Sequence, residues 1–156
     1  MTPPHYLQSQ YINPASLVEL QVLDQVVTGM QQQGNVKGSI PYLAKICQIV
    51  DNQHTDNKTA LDQIRAQAHA QLADAYFKAQ QFIQCEASLN LAIKIWEKAT
   101  NTKSPETTTI NYLLSAYDQL IECYEVLGKS KMIEYIKQRK TKLTTTSSSI
   151  QALSSS

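Results

Sequence analysis

The side chains that could do chemistry are few and dispersed. His5, His54 and His69 share no helical spacing, and none forms with Cys, Asp or Glu the ligand arrangement a metal ion needs. Cys47, Cys85 and Cys123 are far apart and odd in number, each inside a predicted helix. They are expected to be buried free thiols acting as small hydrophobes, with a disulfide or metal role as the alternative. No glycine-rich phosphate loop is present, because the glycines stand singly at turns or near helix ends. No nucleophile elbow or related signature appears. Carboxylates are common, but a pair acting as acid and base needs an enclosing cleft around it. The expectation is no catalytic residue, no cofactor and no metal. A small helical enzyme or ligand carrier is the competing class, and a large enclosed polar pocket would mark it.

Composition narrows the classes further. At 156 residues the chain suits one domain that buries roughly two-thirds of its unfolded surface. Its formal net charge of +1 leaves no basic footprint for a nucleic acid. No apolar run approaches the ~20 residues of a membrane span. The opening Met1-Thr2-Pro3-Pro4-His5-Tyr6 has the layout of neither a signal peptide nor a transit peptide. An intracellular and first of all cytoplasmic setting is expected, with an organelle left open. Free thiols would suit a reducing compartment.

Apolar spacing and cap residues predict about six helices. Residues 1–12 lack helical periodicity and are expected to form a flexible arm, with Tyr6, Leu7, Tyr11 and Ile12 able to dock on a helix or a partner. Asn13-Pro14 opens the first helix as cap and first-turn proline, and Gly34 closes it near Gln33. Ser39 and Pro41 predict a short second helix, with Tyr42 to about Asn52 as its body. A third helix is expected from Thr59 to Ala79 and a fourth from Phe82 to Ala99, with Trp96 as a packing anchor. Ser104-Pro105-Glu106 restarts the pattern for a fifth helix reaching Leu127. Gly128 then turns the chain into a sixth helix ending near Leu143. The Thr/Ser run 144–156 is expected to be disordered, because it cannot bury enough surface to offset its ordering entropy. The helical domain is thus 13–143.

The order of large and small positions in the third and fourth helices resembles the tetratricopeptide (TPR) repeat, W-x2-L-G-x2-Y followed by small and aromatic positions. Leu72, Ala73, Tyr76, Phe82 and Ala92 occupy that pattern, while His69, Cys85 and Glu97 replace its tryptophan, alanine and proline. Tyr117, Leu120 and Tyr124 repeat the spacing of His69, Leu72 and Tyr76. Ala92-Ile93-x-Ile95-x-Glu97-Lys98 with Ser104-Pro105-Glu106-Thr107 is similar to the long-helix repeats of kinesin light chains. The step from Tyr76 to Tyr124 exceeds a standard repeat, as in SNAP-type helical repeats. The resemblance implies an all-α fold: a right-handed stack of three antiparallel helix hairpins.

The same resemblance implies a non-catalytic protein-interaction module, an adaptor or a scaffold subunit of a larger complex. Its concave groove would be lined by the first helix of each pair. Candidate groove residues are Asp24, with Thr28 and Gln31; Asp74, Phe77 and Lys78, with Gln67 and Ala70; and Asp118, Glu122 and Glu125, with Ser115. Chaperone-binding members hold a terminal carboxylate with asparagine and basic residues. Asp74 and Glu122 at such positions would repel it by roughly a kcal/mol per close like charge. An acidic rim suits a peptide or helix bearing Lys or Arg, with Phe77 as apolar contact. The alternatives are that the carboxylates merely solvate an exposed face, or that the chain's own ends fill the groove.

Overall fold

The computed structural model describes residues 10–154. Among them the chain is all-helical, with no strand: α1 (Pro14–Gln32), α2 (Val36–Asp51), α3 (Lys58–Lys78), α4 (Phe82–Thr100), α5 (Thr107–Leu127) and α6 (Ser130–Ser154). The principal packing joins sequence neighbours, each helix lying against the one before and the one after it.

Three tight turns set the hairpins, and all three are built alike. Gly34, Gln80 and Gly128 have φ of 78°, 60° and 71°, the left-handed backbone that ends a helix in a Schellman motif. In each, the next amide reaches back to the carbonyl five residues earlier: Asn35 to Met30 at 2.8 Å, Gln81 to Tyr76 at 2.8 Å and Lys129 to Tyr124 at 3.0 Å. Glycine adopts this conformation freely, whereas Gln80 does so against the clash of its own Cβ. These turns give the three hairpins a common register.

The helix starts show where local chemistry overrides pattern. Asn13 caps α1 through a bond from the Ala15 amide, as its position beside Pro14 implies. α2 begins at Val36, earlier than Ser39-Pro41 suggested, because the Asn35 side chain accepts the Gly38 amide at 3.0 Å and caps the helix there. Pro41 therefore lies inside α2. α5 begins at Thr107, later than Ser104-Pro105-Glu106 suggested. Glu106 is still extended, at φ −69° and ψ 135°, and Pro105 is buried before the helix starts.

Both chain ends depart from the expected arm and tail. Residues 1–9 of the arm, Tyr6 and Leu7 included, lie outside the described residues. Ile12, however, is a core residue, 4% exposed, and the Tyr11 hydroxyl accepts a bond from the Asn57 amide. At the other end, α6 continues to Ser154 where disorder was expected. Its hydroxyls find partners within the helix. Thr141, Thr144, Thr145, Thr146 and Ser149 each bond the carbonyl four residues back, so the run satisfies its polar groups without leaving the helix.

Two apolar cores share α3 as their wall. Leu61, Ile64, Ala68, Leu72 and Ala75 face the core formed with α1 and α2, alongside Leu20, Val27, Ile46 and Val50. Ala66 and Ala73 face the second core with Leu89, Trp96, Leu113, Leu120 and Tyr124. Tyr76 packs against both.

Polar contacts lock successive hairpins. Arg65 closes the C-terminal end of α2, donating to the carbonyls of Val50 and Asp51 in its last turn and of Gln53 just beyond it. The imidazole of His69 lies 3.0 Å from the Asp51 carboxylate, and one hairpin later Tyr117 donates to Glu97 at 2.5 Å. Trp96 stacks on Tyr112 with ring centroids 5.5 Å apart and donates its Nε1–H to Gln63. It is the anchor between α4 and α5 that its position predicts.

Candidate partner-binding cleft

An open cleft of about 840 Å³ runs between α5 and the middle of α6. Asp118, Ile121 and Glu122 form its α5 wall; Lys137, Lys140, Thr141, Thr144, Thr145 and Ser148 form the other. Both walls follow from helical spacing, since Asp118 and Glu122 are one turn apart, as are Lys137, Thr141 and Thr145. Ile121, the one apolar side chain lining it among the described residues, is half-buried.

Charge along the cleft is mixed, in contrast to the acidic rim expected. Asp118 is bound by Lys140 at 2.5 Å, and Asp74 by Lys78 at 2.8 Å on its own helix. Asp74 also accepts the Gln119 amide at 3.1 Å, which ties α3 to α5. No ion pair or hydrogen bond reaches the Glu122 and Glu125 side chains among the described residues. Lys137 stands across from Glu122 without an ion pair of its own.

The expected groove residues thus fall into separate settings. Asp118 and Glu122 share the cleft. Asp74 and Lys78 pair with each other. The half-buried Phe77 ring meets Phe82 edge-on, centroids 5.4 Å apart, and packs on the second core, outside the cleft lining. Glu125 is exposed on α5 outside the cleft lining. Asp24 stands half-buried on α1, where burial holds its carboxyl above the ordinary 3.8. The α6 wall was missed because the Thr/Ser run was expected to be disordered. The recurrence of Thr141, Thr144, Thr145 and Ser148 at helical spacing is the signal that could have found it.

The nucleophiles lie elsewhere and are enclosed. Cys47, Cys85 and Cys123 are all buried free thiols. Burial pushes Cys47 and Cys85 up to about 12, with Asp51 adding to the first and neighbouring Cys123 to the second. Cys123 donates to the Phe82 carbonyl at 3.0 Å. Among the described residues no group of three or more His, Cys, Asp or Glu could hold a metal ion, and no helix is long and apolar enough to cross a membrane. Comparison with protein-family models, curated proteins and solved structures finds no match.

Proposed function

We propose that this chain is a non-catalytic protein-interaction module of the tetratricopeptide kind, acting as an adaptor or scaffold subunit, and that a partner helix or peptide lies in the α5–α6 cleft. The observation that carries this reading is Glu122. In the common register of the hairpins its counterpart is Asp74, which accepts the Gln119 amide from α5, the first helix of the next hairpin. Glu122 has the same place one hairpin later, and among the described residues no helix supplies it such a donor. A partner helix offering Gln, Lys or Arg there would supply the missing donor. Ile121 and the methyl groups of the α6 threonines would receive its apolar stripe.

The cleft is open along its length, which suits a chain-like ligand better than the enclosed pocket of a small-molecule carrier. Buried free thiols fit a reducing, intracellular setting.

The test is a pull-down of the intact protein from its native extract at two salt concentrations, with mass spectrometry of what is retained. Glu122→Lys is the better probe than Asp74→Lys, because Asp74 also holds α3 to α5 and its loss would disturb the fold. Partners held by the wild type and lost from Glu122→Lys are the expected result. A partner set indifferent both to that reversal and to salt sinks the cleft reading.

A further inference from the structure

We infer that the outer face of α1 is a docking site for an amphipathic helix of a partner protein, one carrying Lys or Arg in its last turn. The inference comes from the register of the three hairpins. Count back from each left-handed turn residue, Gly34, Gln80 or Gly128, by sixteen, twelve and five positions. On α3 this reaches Ile64, Ala68 and Ala75, which are 7%, 1% and 1% exposed in the core shared with α2. On α5 it reaches Tyr112, stacked on Trp96 of α4, and buried Ala116 and Cys123.

On α1 it reaches Val18, Val22 and Gly29. Val18 is 62% exposed and Val22 55%, and a Cβ built on Gly29 would meet nothing within 4 Å. Two hairpins cover this face with the second helix of the hairpin before them; here, among the described residues, no helix lies over the same apolar face. The small residue in the row lets a helix approach closely.

Charge selects the occupant. Arg65, fifteen positions before Gln80, closes the carbonyl end of α2. Its counterpart on α1 is Glu19, an exposed carboxylate with no ion pair among the described residues. A carboxylate repels the carbonyl end of a helix and attracts a cation placed there. α1 carries Glu19 and Asp24 and no basic residue. A second copy of this chain docking head to tail is disfavoured. Its last helix would present Lys137, Thr141, Thr144 and Thr145 where α4 presents Leu89, Ile93, Trp96 and Glu97, a polar face against valines.

The probe is a fluorescein-labelled peptide of α4, residues 81–101, stapled between exposed positions 87 and 91 so that it is helical in solution. It carries the face that covers the α5 counterparts, and Lys98 lies in its last turn. Binding to the full chain is read by fluorescence anisotropy, with sedimentation to define the oligomeric state. A monomer that binds the peptide saturably is expected. Val22→Glu should weaken binding about ten-fold or more. Glu19→Lys should weaken it severalfold, and the peptide with Lys98→Glu should recover that loss. Glu122→Lys should leave it unchanged, which separates this face from the cleft proposed above. Four results would each overturn the inference: no binding by the helical peptide, binding indifferent to Val22→Glu, a dimer dissolved by Val22→Glu, or a chain lacking residues 1–9 that binds far more tightly. The last two would assign the face to a second copy or to the chain's own N-terminal segment.

Discussion

Gln80 holds a backbone conformation that its two counterparts leave to glycine. At φ 60° its Cβ crowds the backbone, and its exposed side chain makes no bond in compensation. Gln80→Gly removes that crowding and restores some unfolded-state entropy, a balance of about 0.5–1 kcal/mol toward stability. Urea unfolding should show a higher midpoint with an unchanged slope; a lower midpoint would mean the side chain has a role the geometry does not reveal. Asp24 is a second local strain, electrostatic in origin. Its half-buried carboxyl binds a proton more tightly in the folded chain than in the unfolded one. The stability linked to that proton is fully present below the unfolded value and is lost as pH rises through the folded one. Asp24→Asn escapes the loss. Thermal melts should place the variant above the wild type at neutral pH, with the gap closing in acid below the ordinary carboxylate range. A gap independent of pH would trace the effect to packing instead.

At the scale of elements, each helix end is settled by a few polar side chains, and this decides what could be read in advance. Asn13-Pro14, Gly34 and Gly128 announce their boundaries because their side chains, or the lack of one, act on the nearest amides. Helix number, helix order and most of the core follow from apolar spacing alone. Other ends depend on residues distant in sequence. Arg65 closes α2 from the next helix. Gln53, 8% exposed, accepts the Asn13 amide and donates to Ser16 and to the Ile49 carbonyl, binding the start of α1 to the α2–α3 loop. Neither role has a local signature. Pro41 misleads because Asn35 caps first, and the α6 tail misleads because composition does not show hydroxyls bonding backward along a helix. The acids of the cleft were visible as residue types, but the pairing of Asp118 with Lys140, and not of Glu122 with any lysine among the described residues, was not. Arg65→Met keeps most of the apolar stem and removes the three carbonyl contacts. It should cost about 1.5–3 kcal/mol, the scale of charge-assisted bonds lost at a partly buried site. Hydrogen exchange should localise the loss to the last turn of α2. An unaffected α2 end would leave those carbonyls to water.

The whole molecule behaves as a row of helices, each dependent on its neighbours. α3 contributes to both cores, whereas α1 and α6 have one principal neighbour each. In such a row, opening starts at the ends and reaches the centre only on global unfolding. Hydrogen exchange should therefore rank α3 and α4 as the most protected, with α1 and the first half of α6 below them. The stretch 144–154 should exchange fastest, since its backbone bonds are shielded by exposed threonine and serine side chains rather than by a core. Leu72→Ala should cost about 2–5 kcal/mol, as for other buried leucines, and should lower protection first around the α1–α2 core that it faces, then in the second half through the α3 backbone that walls both cores. Val27→Ala should act mainly on α1 and α2. If Leu72→Ala leaves α5 and α6 untouched, the cores are independent and α3 is a partition between two folding units. The same ranking bears on both proposed surfaces, which lie at the row's two ends, where neighbours are fewest. A partner helix added at either end supplies the neighbour that end lacks. Binding at α1 should slow exchange there first, and binding in the cleft should slow it along 144–148.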